Sequence, residues 1–314
     1  MLKIGLAGVG GISDAHIPAW EAMDNTCLTA LCDIRPENMK NYPDKHRYTD
    51  FDEMLEKEEL DILDICLPTN LHADFAIKAM EKGIHVICEK PISLNEEDVT
   101  RIYFIARKMN VKFMVAQVLR FWPEYELIKE IYDTKKYGRL LSGYMRRLGS
   151  CPKWSWDNWM KDSSRSGLVP YDLHVHDLDF MVYAFGKPAN VQSHRSMRPE
   201  QDYLCVTYAY ENFFVTAEAA WYAAPLPFEA GFRFQFEEAV ITYENSKCII
   251  YQNDGAIINL SSEAAGGTDS IHLPKTNAYE NEIRYFTDCV LSDQFPEKIK
   301  AEELRTVISI LNNL

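Results

Sequence analysis

An apolar stretch, Leu2-Lys3-Ile4-Gly5-Leu6-Ala7, runs straight into Gly8-Val9-Gly10-Gly11-Ile12-Ser13, and a helical apolar pattern follows through Trp20. A strand that turns on glycines into a helix constrains the fold more than any other feature of the chain. Such a junction belongs to a parallel α/β sheet, where the helix N-terminus receives a phosphate. Gly8 permits the tight turn and Gly10 the close approach of a pyrophosphate, with Gly11 and Ile12 completing the loop. The spelling is G-x-G-x-x-S, and Ser13 stands where a third glycine or alanine packs helix on strand; a serine is small enough. Cys27–Asp33 reads as a second strand ending in an acid 25 residues after Gly8. That is near the spacing at which a carboxylate takes the adenosine ribose hydroxyls, and it would repel the 2′-phosphate of NADP. Arg35 suits stacking on adenine or accepting that phosphate. NAD is therefore the expected cofactor, with NADP open, and an ordinary helix-capping acid is the plainer alternative for Asp33.

The alternation continues. Asp61–Leu67 is a strand leading to Pro68-Thr69-Asn70-Leu71-His72 and a helix to about Glu81. Gly83–Cys88 is the next strand, Asn95–Met109 a helix capped by Ser93 or Asn95, and Val111–Ala116 a further strand. Repeated strand–helix units predict a doubly wound parallel sheet, a Rossmann domain over residues 1–120. The stretch Gly83-Ile84-His85-Val86-Ile87-Cys88 stops abruptly at Glu89-Lys90-Pro91, and chemistry in open α/β sheets sits at the strands' carboxyl ends. Pro91 disfavours α geometry at Lys90, so the ammonium stands on an extended corner. A surface lysine paired with Glu89 is the competing explanation. His72 stands at a helix start, facing a cofactor or merely a polar loop.

After Gln117 the character changes. Arg120-Phe121-Trp122-Pro123-Glu124-Tyr125 leads into one more helix, to about Lys136. Runs with β signals follow at Leu140–Arg147, Val191–His194, Tyr203–Tyr210, Phe213–Trp221, Gly231–Phe236, Ala239–Tyr243 and Cys248–Tyr251. Consecutive strands without intervening helices predict an antiparallel or mixed sheet, hence an α+β second domain over residues 121–314. Val215/Ala217/Ala219/Trp221 and Phe232/Phe234/Phe236 each line one strand face, as core or subunit interface. Ala264-Ala265-Gly266-Gly267 reads as a turn, and helices over about Tyr279–Leu291 and Ala301–Leu314 close the chain.

Ahead of this domain's second β run lies Ser166-Gly167-Leu168-Val169-Pro170-Tyr171-Asp172-Leu173-His174-Val175-His176-Asp177-Leu178-Asp179, with apolar positions at helical spacing onward to Phe185-Gly186. On a helix Asp172, His176 and Asp179 share one face, so Asp172 can orient the His176 imidazole. His174 points about 200° away from His176, which argues against a helical metal site, and no metal is expected. A polar staple between domains is the bland alternative. Trp154, Trp156 and Trp159, in the loop before this helix, offer flat surfaces for a sugar ring or for packing.

At 314 residues the chain is long enough for two domains. A net charge of −14 argues against nucleic-acid or anionic-membrane partners and leaves small molecules. The eight cysteines form no CxxC pair and sit mostly in apolar contexts, which reads as reduced packing residues in the cytoplasm. No signal peptide is visible, and no apolar run approaches the ~20 residues of a membrane span.

Together these features resemble the glucose–fructose oxidoreductase / inositol dehydrogenase / rhizopine catabolism (Gfo/Idh/MocA) family of NAD(P)-dependent oxidoreductases. The likeness covers almost the whole chain. It rests on Gly8/Gly10/Gly11 with His16, Asp33, the Pro68…His72 turn, Glu89-Lys90-Pro91, Arg120-Phe121 and the Asp172…His176…Asp179 helix. Ser166-Gly167-Leu168 in place of a glycine run, and His174 where a glycine is frequent, depart from the pattern.

The resemblance implies a Rossmann domain followed by a domain with a large open-faced sheet that often pairs between subunits, hence a homodimer or homotetramer. It also implies oxidation of a secondary alcohol on a sugar or cyclitol such as inositol. Lys90 matches the family's lysine, and Asp172 and His176 its Asp-x-x-x-His pair. Pro68, Thr69, Asn70, His72, Glu89 and Lys90 are expected beside the cofactor, and Lys90, Arg120, Trp159, Asp172 and His176 beside the substrate. Imidazole, with a free pKa of ~6.5, suits removal of the hydroxyl proton, and an ammonium stabilises the developing alkoxide. The two residues can exchange roles. Standing 86 residues apart, they are expected to act on one substrate oxygen from opposite domains. Rival readings are a non-catalytic dinucleotide sensor and a glycosidase that keeps NAD bound. Retention of Lys90, Asp172 and His176 weighs against the sensor.

Overall fold

A computed structural model describes residues 1–260 and 277–314, so the expected turn at Ala264–Gly267 lies outside the described residues. The described residues form two compact units, 1–118 with 277–305 and 119–260 with 306–314.

The first unit is built on a six-stranded sheet. Its strands are β1 (Leu2–Ala7), β2 (Thr26–Cys32), β3 (His46–Tyr48), β4 (Ile62–Ile65), β5 (His85–Glu89) and β6 (Phe113–Ala116). They lie in the order β3-β2-β1-β4-β5-β6, every neighbouring pair parallel. That is the doubly wound order with its reversal between β1 and β4. The strands read as apolar runs because helices α1 (Ser13–Glu21), α2 (Phe51–Lys57), α3 (His72–Glu81) and α4 (Glu96–Lys108) serve as crossovers. Sequence reading passed over β3 and α2. β3 is three residues long with two of them exposed, too short for a period-2 pattern to register. Asn95 stands at the N-cap of α4 without a side-chain bond to the helix, and Ser93 Oγ accepts from the Asn95 N–H and donates to Asp98 in the first turn.

A division at residue 120 leaves everything beyond it in the second domain, but described residues 277–305 cluster with the first unit. The reason is the apolar face of α8 (Ala278–Leu291), where Ile283, Phe286 and Cys289 are buried and the helix packs against α1 and β5.

The second unit carries an eight-stranded sheet ordered β14-β13-β12-β11-β7-β10-β9-β8. The strands are β7 (Leu140–Ser150), β8 (Asn190–Arg198), β9 (Gln201–Ala209), β10 (Phe214–Tyr222), β11 (Glu229–Phe236), β12 (Ala239–Glu244), β13 (Lys247–Gln252) and β14 (Ile257–Asn259). All pairings are antiparallel except β7 with β10. Helices α5 (Pro123–Thr134), α6 (Ser163–Ser166) and α7 (Val175–Phe185) precede or follow β7, and the unit boundary falls within α9 (Ala301–Leu311).

One sheet face is core. Val215, Ala217, Ala219, Phe232, Phe234 and Phe236 are all buried, and Tyr125 of α5 and Phe180 of α7 meet Phe232 and Phe234 edge-on or tilted. The aromatic faces are therefore core and not a subunit interface. The other face is mixed and half-exposed, with Tyr144 donating to Glu218 and Thr207 paired with Thr216.

Candidate active site

At the β1–α1 junction Gly8 adopts φ +95°, and a Cβ there would stand 2.5 Å from the Cys66 carbonyl oxygen, so only glycine fits. A Cβ on Gly10 would meet nothing within 4 Å. The loop is thus closed on the sheet side and open at Gly10, the side from which a pyrophosphate approaches. Gly11 and Ile12 are half-buried and lead into the N-terminus of α1, whose first amides have no intrahelical acceptor. Asp33, at the end of β2, is 7% exposed. Its Oδ2 accepts from the Val9 N–H (2.9 Å) and the Asn38 amide (3.0 Å), and its Oδ1 from the Arg35 N–H (2.8 Å). The Arg35 guanidinium folds back to 3.7 Å from Oδ1. Ile34 between them is 62% exposed, an apolar platform beside a carboxylate. These residues fit a dinucleotide.

Glu89 and Lys90 close β5, and the Lys90–Pro91 peptide is cis. Glu89 is buried and Lys90 half-buried. The Lys90 main-chain N–H donates to Glu89 Oε2 at 2.9 Å, while Glu89 Oε1 lies 3.0 Å from His16 Nε2. The other His16 nitrogen lies 2.8 Å from Asp64 Oδ2, which also accepts from Trp20 Nε1 at 2.7 Å. His16 and Asp64 are fully buried. Burial opposes charge on the ring, but Asp64 and Cys66 outweigh it and hold the His16 pKa well above its ordinary value. His16, Asp64 and Cys66 bring their donor atoms within 4.8 Å of one another. The ring is already hydrogen-bonded at both nitrogens, and burial pushes the Cys66 thiol up to about 12, so the cluster reads as a hydrogen-bond network.

The Pro68-Thr69-Asn70 turn is a 3-10 segment (Thr69–Leu71) after β4, with Thr69 buried, Pro68 half-buried and Asn70 exposed. His72, expected at the cofactor, is instead buried, with Nε2 2.7 Å from the Leu67 carbonyl and Nδ1 2.7 Å from the Pro91 carbonyl. Burial lowers its pKa. The ring lies between the loop after β4 and Pro91, and in its neutral form it donates to one of these two carbonyls.

In the second unit the expected continuous α-helix begins as a π-helical segment, Pro170–His174, and becomes α7 at Val175. A wider turn rotates Asp172 off the stripe that regular α geometry gives it. Asp172 and His176 are half-buried, whereas Asp179 is buried, and the three do not form one exposed face. Asp179 accepts from Arg120 Nε (2.8 Å) and a terminal nitrogen (2.7 Å), and the guanidinium lies 4.7 Å from the Tyr183 ring centre. Arg120 is 0% exposed. Its guanidinium serves the interior of the unit, and a direct role at substrate does not fit this placement.

His174 is buried against the sheet, its Nε2 2.6 Å from the Tyr208 hydroxyl, and burial depresses its pKa to about 3. Beside it Arg147 Nε donates to Asp177 Oδ1 (3.1 Å) and a second guanidinium nitrogen to the Tyr125 hydroxyl (2.9 Å).

The departures at Ser166-Gly167-Leu168 have structural explanations. Ser166 Oγ donates to the Met160 carbonyl and accepts from the Leu168 N–H. Gly167 adopts φ +74°, and its Cβ would stand 2.4 Å from the Tyr171 ring. Trp159 is half-buried in a 3-10 segment (Trp156–Lys161) and Trp156 lies against Arg165, while Trp154 is 61% exposed.

Sequence reading missed the network behind Lys90 and the Arg147–Asp177 pair. The signal was present: Asp64 interrupts the apolar run Ile62-Leu63-Asp64-Ile65-Cys66, and a buried acid requires partners.

Residues 2–117 match the oxidoreductase family with NAD-binding Rossmann fold (GFO_IDH_MocA), and residues 125–247 match the GFO/IDH/MocA C-terminal domain. The chain belongs to the Gfo/Idh/MocA family. Among curated relatives, the myo-inositol 2-dehydrogenase of Thermotoga maritima is 27% identical over 190 residues, 59% of this chain and 55% of that protein. The levoglucosan dehydrogenase of Pseudarthrobacter phenanthrenivorans is 28% identical over 203 residues, covering 59% and 52%. The chain thus spans about half the length of the curated relatives it matches. A solved levoglucosan dehydrogenase, in complex with NADH and levoglucosan, shares the fold at a TM-score of 0.83 and 20% identity, covering 99% of this chain and 95% of that one. Among the described residues no helix is long and apolar enough to cross a membrane.

Proposed function

We propose that the chain is an NAD-dependent dehydrogenase acting on a secondary alcohol of a sugar or cyclitol. The observation that carries this reading is the placement of Lys90 at the carboxyl end of β5, in the sheet whose β1–α1 loop and Asp33 fit a dinucleotide. The names of the two curated relatives, an inositol and a levoglucosan dehydrogenase, support the substrate class. Bound NAD would supply the hydride acceptor. In this reading His176 takes the hydroxyl proton, Lys90 donates to the same oxygen and stabilises the alkoxide charge, and Asp172 orients substrate or imidazole. Asp33, engaged by three donors yet retaining acceptor capacity, takes the ribose diol and selects against a 2′-phosphate, while Ile34 offers its apolar surface to adenine.

The test is reduction of NAD, followed at 340 nm, across a panel of sugars, their phosphates and cyclitols. Turnover of at least one alcohol is expected. Tightly held NADH with no net reduction by any of them sinks the dehydrogenase and favours a chemistry that recycles its cofactor. We further propose assembly across the half-exposed sheet face bearing Tyr144, Glu218 and Arg233, since the aromatic face is spent on the core. Light scattering should give a dimer or tetramer at micromolar concentration, and a monomer would refute it.

A further inference from the structure

Glu89 uses both carboxylate oxygens: one accepts from the Lys90 main chain and the other faces His16. His16 in turn stands between two carboxylates, Asp64 on β4 and Glu89 on β5, at 2.8 and 3.0 Å. Trp20 donates to Asp64 Oδ2 and the Cys66 thiol lies 3.6 Å from Asp64 Oδ1. Trp20, Cys66 and Lys90 each bring a proton, so an ionised pair of acids leaves His16 to donate from both nitrogens. A neutral ring would turn a lone pair toward a carboxylate oxygen in a site closed to water, where such a contact is strongly unfavourable.

We propose that His16 is a positioning residue whose doubly protonated ring locks Glu89, and through it the backbone of Lys90, so that the ammonium is aimed at one point. This rests on the reading of Lys90 as the group that acts on the substrate oxygen, and it adds the device that holds Lys90 there. The geometry favours a lock over a simple core histidine. The chain Trp20–Asp64–His16–Glu89–Lys90 links α1, β4 and β5 in one line of charge-assisted bonds, and such bonds are the short, directional ones. From the other side the buried His72 ring lies against the main chain after Lys90, its Nδ1 2.7 Å from the Pro91 carbonyl. The groups facing the ring are Asp64 and Cys66 from β4 and its end, Glu89 from β5, Trp20 from its own helix, and Tyr279 of α8 at 5.9 Å between ring centres. Cys88 on β5 and, on α8, Glu282 one turn beyond Tyr279 and Cys289 are the other buried titratable groups on these elements. The elevated His16 pKa is consistent with the lock.

The experiment uses the full chain, with histidine nitrogens and lysine ε-methylenes isotopically labelled, and NADH as the ligand. Both His16 nitrogens should show imidazolium shifts that do not titrate between about pH 6 and 8, the range in which an ordinary histidine loses its charge. In Glu89→Gln and His16→Gln the Lys90 ε-methylene signal should move or broaden, and hydrogen-exchange protection of the Lys90 amide should fall about tenfold or more. In folded His16→Gln the NADH dissociation constant should stay within about twofold. Two variants are used because His16→Gln leaves two buried carboxylates facing each other, whereas Glu89→Gln removes one charge. A neutral His16 at pH 7, or an unchanged Lys90 amide and ε-methylene in folded Glu89→Gln, overturns the lock. Failure of the catalytic reading shows separately, as undiminished turnover by Lys90→Met, and leaves these spectra to decide the lock by themselves.

Discussion

Removing Arg120 should damage the second unit through its interior. The guanidinium is 0% exposed and gives two hydrogen bonds to Asp179, itself 1% exposed. Breaking a buried pair by deleting one partner leaves an unpaired charge and costs about 3–5 kcal/mol. For a unit of this size each kcal/mol shifts Tm by about 2–4 °C, so Arg120→Met should lower the transition by about 6–20 °C. Asp179→Leu should do the same. The double variant Arg120→Met/Asp179→Leu removes both charges and fills the space with apolar side chains, a replacement that is often neutral or stabilising. It should therefore be more stable than either single variant, which requires a coupling energy larger than one single loss, above about 3–5 kcal/mol. The assay is thermal melting of all four proteins by circular dichroism, with kcat and KM measured well below the transition. A substrate-binding Arg120 predicts a different pattern: little loss of stability, a large rise in KM, and no rescue by the second substitution. That pattern would refute the structural reading of the pair.

The other predictions concern the proposed chemistry and pH. Lys90→Met and His176→Ala should each lower kcat by about 10²–10⁴ while NAD affinity changes little, and the double variant should be little worse than either, checked by steady-state kinetics and NADH titration. In the alcohol-oxidising direction kcat should fall at low pH as the base becomes protonated; a flat profile would remove acid–base catalysis from the step. Asp33→Ser should weaken NAD binding about 10- to 100-fold, the worth of hydrogen bonds to a charged acceptor, and narrow the preference over NADP; tighter NADP binding by the parent protein would promote Arg35 instead. His174, held near pKa 3, is neutral when folded and takes a proton when unfolded below pH ~6.5, so it removes stability as pH falls from 6.5 toward 3, by up to about 5 kcal/mol. Asp177, raised by burial to about 6, works the other way between about pH 6 and 4, so His174→Asn should flatten the acid limb of a urea-denaturation series most clearly from pH 7 to 6. An unaltered limb would contradict a buried neutral His174.

The first sheet was legible because its strands are apolar on both faces and its turns are glycine-marked. β1 has the expected bounds, and the other expected strands shifted by one or two residues. What escaped, β3 and α2, is short and half-exposed, where periodicity carries little signal. The second sheet was legible as a series of strands, but which of its faces is covered depends on α5 and α7, and no local pattern encodes that. The apparent face shared by Asp172, His176 and Asp179 failed for a related reason. Spacing of i, i+4, i+7 presumes uniform α geometry, and the segment Pro170–His174, which follows the left-handed Gly167 and Leu168, is π-helical. Candidate residues were named from the motif, but their burial was not: Arg120 and His72 carry groups suited to ligands and use them on the protein itself.

The placement of those internal charges explains how His176 stays half-exposed on a helix that is otherwise almost wholly buried. Asp177 and Asp179 both follow it in sequence and lie about 100° and 300° around the axis from it, and each is drawn inward by a different arginine. Arg147 belongs to β7, and Arg120 to the 3-10 segment (Val118–Phe121) that follows β6. Apolar contacts alone would let α7 rotate by tens of degrees at modest cost, because one buried methyl group substitutes for another. Two guanidinium–carboxylate pairs on different sides of the axis do not allow this, since rotation in either direction strands a buried carboxylate. The buried ion pairs thus add directional definition more than net stability. That definition falls on His176, which lies between the two carboxylates around the axis, even though none of the four charged groups has to touch a ligand.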